Sequence, residues 1–348
     1  MSKIRVLVDG AGTVGERVAD AITLQPDMEL VGVTKNSPSY TSLGQVHMKG
    51  YKLFSRNPER FGTMDYGIVT PLEYGLEQAD VVVCCLPGKY ASKVQEEYGS
   101  KPRIFQGGEN ADSAEVSFVA AANYDKAIGK NSVRVVSCNT TALSRVLSPF
   151  YEYEGQENRN LIKKAEAVIV RRVADPHQVK GLTDQIEVTF DVNNHGHHGA
   201  DVKTIMPNLD IYTMAVKAPT ATMHQHNIML KMGYVIARDA NFVREQLAKV
   251  SRVKFFRKDN GFKTTAQIMH HAQMHFDPLR RGMLYEVAIW EDSIMVDNNG
   301  TVRWYQAIDQ QSIVVPENID AIRAMFSLAN KEDSMRITDE TLRILGGN

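Results

Sequence analysis

The stretch Ile4-Arg5-Val6-Leu7-Val8-Asp9-Gly10-Ala11-Gly12-Thr13-Val14-Gly15 decides the fold. Ile4 to Val8 reads as a short apolar strand, and Glu16 to Leu24 as a helix with Val18, Ala21 and Ile22 on one face. Between them stands G-x-G-x-x-G. A glycine pattern that follows a strand and opens a helix is a dinucleotide-binding turn. Gly10 permits the tight turn, Gly12 lets the backbone approach a pyrophosphate, and Gly15 permits close helix–strand packing. Thr13 and Val14 complete the turn at the helix N-terminus, where free N–H groups and the macrodipole favour an anion. At the end of the next strand, Leu30 to Thr34, an NAD-preferring fold places an acid for the ribose 2′-hydroxyl. This chain has Thr34-Lys35-Asn36 there. A lysine and a hydroxyl suit a 2′-phosphate, so NADP is favoured over NAD, with dual use as the other reading.

Outward from this stretch, strand and helix signals alternate. Asp80 to Leu86 is almost wholly apolar and ends at Pro87-Gly88, as a buried parallel strand does. Ile104 to Gln106 and Arg134 to Val136 continue the series, giving a doubly wound parallel sheet. After about residue 150 the texture changes, with strand signals at Ala165 to Val170, Ile186 to Val192, Met214 to Ala218, Tyr285 to Val296 and Val302 to Ile308. Asn298-Asn299-Gly300 is a hairpin signal. Helices are expected at Asn241 to Val250, Thr265 to His275 and Pro316 to Ala329, the last with Pro in its first turn. The expected fold is α/β: an N-terminal Rossmann domain over 1–138 and an α+β catalytic domain over 139–315 with a mainly antiparallel sheet. The segment 316–348 packs back on the first domain.

Composition excludes several functions. The 348 residues are 43% hydrophobic and 23% charged with a net charge of −1, so no global field recruits nucleic acid or an anionic membrane. No apolar run approaches the ~20 residues that span a bilayer. Three cysteines, two of them adjacent, make no disulfide framework, which fits a reduced, cytoplasmic protein. Cys84 and Cys85 sit inside an apolar strand and read as core. Cys138, in Ser137-Cys138-Asn139-Thr140-Thr141, differs: a strand delivers it to the start of a helix over Ala142 to Phe150. A helix N-terminus stabilises a thiolate, so a lowered pKa and a nucleophilic role are expected.

These residues together resemble the archaeal type of phosphorylating glyceraldehyde-3-phosphate dehydrogenase. The likeness runs through Phe105-Gln106-Gly107-Gly108-Glu109, the Cys138 motif, Val170-Arg171-Arg172-Val173-Ala174-Asp175-Pro176, His197-His198-Gly199-Ala200-Asp201 and Val314-Val315-Pro316-Glu317-Asn318, in family order. The chain departs from it at Ala142 and Ser144, at Asp309 where a His is usual, and at Gly155 to Asn160, which reads as an insertion. The resemblance implies oxidation of D-glyceraldehyde 3-phosphate to 1,3-bisphosphoglycerate with NAD(P) and inorganic phosphate, in glycolysis or gluconeogenesis, by a homotetramer. It also implies that Ser137, Asn139 and Thr140 surround the substrate and that Gly107, Gly108 and Gln310 line the cofactor. His197-His198 lies in a Gly-flanked polar loop. His198 is the favoured base, and His197 the group that holds the substrate oxygen. Paired guanidinium groups suit a phosphate; by resemblance Arg171 meets substrate or inorganic phosphate and Arg172 reaches the cofactor. No metal is expected, and His270, His271 and His275, on a helix face, read as exposed or structural. Two other readings stay open: a semialdehyde dehydrogenase of amino-acid biosynthesis, and a non-catalytic nucleotide-binding redox sensor.

Overall fold

The computed structural model describes residues 2–38, 44, 48–62, 67–106, 108–151, 161–173, 185–190, 195–233, 239–344 and 346. The chain divides into two compact units. One is Met1–Ser137 with Val315–Leu342, the other Cys138–Val314 with Arg343–Asn348.

The first unit is built on strands β1 (Ile4–Asp9), β2 (Met28–Thr34), β3 (Leu53–Ser55), β4 (Val69–Pro71), β5 (Val81–Cys84), β6 (Arg103–Phe105), β7 (Val116–Phe118) and β8 (Ser132–Val135). They lie in the order β4-β3-β2-β1-β5-β6-β8-β7, every neighbour parallel. β5 is buried at all four residues, as a strand covered on both faces must be. Strand order reverses at β1, which has β2 on one side and β5 on the other. The crevice at the carboxyl ends there is where such sheets bind ligands. The glycine turn occupies that place. Gly10 takes φ +103°, and a Cβ on Gly15 would stand 2.0 Å from the Gly10 carbonyl oxygen, so both glycines are required by geometry. The helix Thr13–Thr23 buries Val18, Ala19, Ala21 and Ile22.

The helix Val315–Met325 is buried at every residue and packs against Thr13–Thr23 and β8. Its Arg323 is wholly buried and donates to both Asp27 oxygens (2.8 and 2.9 Å), Gln25 (2.7 Å) and Thr338 (2.6 Å). That guanidinium ties the C-terminal helices to the loop before β2. The helix stops at Met325, short of the Ala329 suggested by the sequence, and Ser327 turns the chain at φ +52°.

The second unit holds β9 (Ile162–Arg172), β10 (Glu187–Thr189), β11 (Ile211–Ala218), β12 (His224–Met232), β13 (Val253–Phe256), β14 (Val287–Trp290), β15 (Met295–Val296) and β16 (Thr301–Ile308). Their order is β10-β11-β9-β12-β16-β14-β13, with β15 paired to β16. Five pairings are antiparallel (β10–β11, β9–β12, β12–β16, β14–β16, β15–β16) and two parallel (β9–β11, β13–β14). The sheet is therefore mixed. Tyr285 to Val296 does not form one strand. A turn at Glu291–Ser293, closed by Ser293 Oγ donating to the Trp290 carbonyl (2.6 Å), separates β14 from β15, and each pairs with a different part of β16. β15 and β16 form the hairpin signalled by Asn298-Asn299-Gly300. The apparent insertion at Gly155 to Asn160, and the residues Ala174, Asp175 and Pro176, lie outside the described residues. Among the described residues no helix is long and apolar enough to cross a membrane.

Candidate active site

Cys138 opens the helix Cys138–Tyr151, three residues after β8 ends. Asn139 to Leu147 are buried without a break, so this is an interior helix with no solvent face over its first turns. Polar groups there need partners. Arg145 donates to the carbonyls of Tyr285 (2.7 Å) and Ile313 (2.8 Å). The Thr140 hydroxyl, wholly buried, donates to Asp201 Oδ2 at 2.7 Å. Thr140 therefore latches two helices together. An unmet buried hydroxyl costs about 1–3 kcal/mol, which is why the latch forms.

The second of these helices, His197–Val202, begins at Gly196, whose φ is +68°. A Cβ there would stand 2.1 Å from the Thr213 carbonyl oxygen, so only glycine lets the chain turn into the helix against β11. The Gly199 N–H donates to Thr213 Oγ1 at 2.9 Å and fixes the helix axis. His198 faces inward at 5% exposure, with its Nε2 3.5 Å from Asn139 Nδ2. His197 is exposed, edge-on to His198 with ring centroids 5.0 Å apart. His195 Nδ1 lies 3.1 Å from the Ile211 carbonyl.

Charge enters from the end of β9. Arg171 and Arg172 both pull the Cys138 thiol toward the thiolate, as do the backbone N–H groups of Cys138 and Asn139. Burial outweighs them and pushes the thiol up to about 11. This corrects the expected depression: the helix N-terminus acts as anticipated, but desolvation of a helix start sunk in the unit is the larger effect. Arg171 keeps a buried Nε with no acceptor among the described residues, a donor suited to an anion. Arg172 is buried; its Nε donates to Gln310 Oε1 at 2.9 Å, and its backbone N–H to His224 Nδ1 at 3.0 Å. Asp309 accepts from Ser312 Oγ and the Gln311 N–H, building the turn that holds Gln310.

Two buried imidazoles were missed in the sequence. His224 is pinned by the Arg172 N–H, and burial, followed by the fields of His226, Arg172, Arg171 and His198, holds it well below the ordinary histidine value. His226 Nε2 stands 2.9 Å from Asn139 Oδ1, and burial pushes its pKa down to about 3. Their signal was the alternation in His224-Gln225-His226-Asn227-Ile228-Met229-Leu230, where every second residue is buried.

In the first unit, Thr34 is wholly buried; its hydroxyl donates to Asp9 (2.5 Å) and accepts from the Gly10 N–H (2.8 Å). It supports the glycine turn and is not offered to a 2′-phosphate, contrary to expectation. Asp9 also takes Arg56 bidentately (3.0 and 2.6 Å) and Tyr98 (2.5 Å). Lys35 is half-buried beside Glu16; burial lowers its pKa while Glu16 opposes the shift. A Cβ on Gly12 would meet nothing within 4 Å, so the turn is open where a pyrophosphate would approach. Thr13 and Val14 form the first turn of the helix behind it, and Thr13 gives its carbonyl to Arg17. Gly108 takes φ +84°, whereas Gly107 lies outside the described residues. Among the described residues no three His, Cys, Asp or Glu side chains converge to hold a metal.

One unit carries a parallel nucleotide-type sheet, and the other a mixed sheet with a helix-start thiol in the field of two guanidiniums. Residues 137–293 match the glyceraldehyde 3-phosphate dehydrogenase C-terminal domain. Glyceraldehyde-3-phosphate dehydrogenases of Pyrococcus abyssi and Archaeoglobus fulgidus are each 43% identical over 99% of this chain and 99% of their own. That of Sulfolobus acidocaldarius is 39% identical over 99% and 98%. The chain belongs to the glyceraldehyde-3-phosphate dehydrogenase family and is an oxidoreductase. In fold it is similar to aspartate semialdehyde dehydrogenase II of Vibrio cholerae, with a TM-score of 0.63 at 14% identity over 93% of this chain and 97% of that one. That likeness speaks to fold alone.

Alkylation of Cys138 by iodoacetamide, followed by mass at its own peptide in the cofactor-free chain, should keep accelerating toward about pH 11. Arg171→Gln should move the midpoint higher still. A plateau already reached at about pH 8.5, the ordinary thiol value, contradicts this account of the site.

Proposed function

We propose that this enzyme oxidises D-glyceraldehyde 3-phosphate to 1,3-bisphosphoglycerate with NAD(P) and inorganic phosphate, through a thioester on Cys138. The observation that carries the reading is the pair Arg171 and Arg172 acting on the thiol of Cys138. Two fixed cations raise the local preference for a phosphorylated aldehyde and stabilise the thiolate once substrate binds. The Cys138 thiol adds to the aldehyde carbon while its proton passes to the developing alkoxide, and the resulting hemithioacetal hydroxyl is met by the N–H groups at the helix start. Gly10, Gly12, Thr13, Val14, Gly15, Lys35, Gly107, Gly108, Arg172 and Gln310 would hold the nicotinamide cofactor, which when bound would supply the acceptor for the hydride on that carbon. His198 takes the hydroxyl proton as the thioester forms, and His197 holds the substrate oxygen. Ser137 and Asn139 border the substrate. A phosphate oxygen positioned by Arg171 then attacks the thioester carbon, and Cys138 leaves as thiolate.

His224 favours a second assignment for one of these roles. Its Nδ1 accepts from the Arg172 backbone, so its Nε2 carries the proton and is a donor fit for a developing oxyanion. Lys35 supports NADP over NAD, the half-buried ammonium being the cation nearest the end of β2 in sequence. Its three cysteines are all free, as in a reduced cytoplasmic protein.

The outer face of the second sheet supports assembly as a homotetramer. Tyr212, Met214, Met295 and Tyr305 are 45%, 65%, 52% and 50% exposed there, an apolar patch of the kind that buries against another subunit.

An assay crossing NADP and NAD with glyceraldehyde 3-phosphate and aspartate semialdehyde, with and without phosphate, tests the reading. Turnover should require the triose phosphate and inorganic phosphate, KM should be lower for NADP, and Cys138→Ser should reduce turnover by at least about a thousandfold. Retained turnover in that variant, or preference for the semialdehyde, overturns it. Light scattering of the eluted protein should give four chain masses, and Met214→Asp a smaller species; a monomer in the parent chain contradicts the assembly.

A further inference from the structure

Trp304 and Gln306 lie two residues apart on the buried face of β16, and His226 on β12 is the register partner of Gln306. Their side chains form a line toward the start of the Cys138 helix. Trp304 Nε1 donates to Gln306 Oε1 at 2.8 Å. Gln306 Nε2 is 3.1 Å from His226 Nδ1, and His226 Nε2 is 2.9 Å from Asn139 Oδ1. Asn139 Nδ2 in turn is 3.5 Å from His198 Nε2. All five side chains are buried, His226 and Gln306 completely.

The sense of this line is forced from one end. An indole N–H donates and never accepts. Gln306 must therefore turn its oxygen to Trp304, because the flipped amide would set two donors against each other. Its NH2 then faces His226, whose Nδ1 has to accept, so the proton of a neutral ring sits on Nε2. That N–H points at Asn139, which must answer with its oxygen and turn its NH2 to His198. We infer that Trp304, Gln306 and His226 act as a positioning relay that sets the tautomer of His198, making Nε2 its proton-accepting nitrogen and placing the ring proton on Nδ1. Burial, reinforced by the nearby His198, keeps the His226 ring neutral, so Nδ1 stays an acceptor over the working range. Asn139 is the hinge of the device. Its backbone N–H supports the Cys138 thiol, while its side chain aims the imidazole.

The relay bears on catalysis only through the reading of His198 as the proton acceptor, and the test separates the two. Long-range ¹H–¹⁵N correlation spectra of the full chain, labelled at histidine nitrogen, report each ring's tautomer. In the parent enzyme His226 should show a pyridine-type Nδ1 and a pyrrole-type Nε2, and neutral His198 a pyrrole-type Nδ1. Gln306→Glu offers a carboxylate to both Trp304 and His226. It should move the His226 proton to Nδ1, turn the Asn139 amide over, and move the His198 proton to Nε2. With that reversal kcat should fall by about tenfold or more while KM stays within about twofold, the signature of a misplaced acid–base group. Trp304→Phe, which removes the directing donor without adding charge, should give mixed tautomers at His226 and an intermediate kcat.

A pyrrole-type Nδ1 on His226 in the parent overturns the relay, as does an unchanged His198 tautomer in Gln306→Glu. A reversed tautomer with unchanged kcat upholds the relay and instead removes His198 from the proposed base role.

Discussion

Asn139 to Leu147 of the Cys138 helix are buried, and five of those residues (Asn139, Thr140, Thr141, Ser144 and Arg145) carry groups that water would otherwise satisfy. Thr140 turns to Asp201, Arg145 to two carbonyls, and Asn139 to His226 and His198. Each such bond contributes only about 0.5–1.5 kcal/mol net, but leaving its buried partner unmet costs more. The polar groups are therefore driven into one arrangement, and that arrangement places a thiol and an imidazole on adjoining helix starts. The same burial raises the thiol to about 11, so the proposed chemistry relies on the Arg171 and Arg172 guanidiniums to favour the thiolate.

The nucleotide-type unit follows a parallel logic at Asp9. A wholly buried carboxylate at the end of β1 is matched by Arg56, Tyr98 and the Thr34 hydroxyl, and Thr34 then holds the Gly10 N–H. A buried charge is tolerated only when paired and hydrogen-bonded. Here the partners come from β2, from the residue after β3, and from the segment after β5, so satisfying one carboxylate aligns the strand ends around the glycine turn.

The sequence was legible where local pattern and final environment agree. The β1–turn–helix unit, the apolar β5, the helix Thr265–His275 and the β15–β16 hairpin each carry their signal in consecutive residues. It was less legible where tertiary contacts spend a residue. Thr34 reads as a phosphate ligand, and its one donor is taken by Asp9. Cys138 reads as an acidic thiol because the helix start is visible in the sequence, whereas the depth of its burial is not. β12 escaped because its inward face begins with His224 and His226 where a core strand would show Val or Ile. Polar residues at inward positions of an otherwise alternating strand are the mark of a strand that runs beneath a site.

The proposed chemistry passes through a covalent bond to one sulfur. Mixing the enzyme with glyceraldehyde 3-phosphate and NADP in the absence of phosphate, quenching in acid and mapping peptides by mass measures it directly. A 3-phosphoglyceroyl adduct is expected on the Cys138 peptide, sensitive to hydroxylamine and lost when phosphate is added before the quench. Reduced cofactor formed in stoichiometric amount with Cys138 unmodified would contradict it.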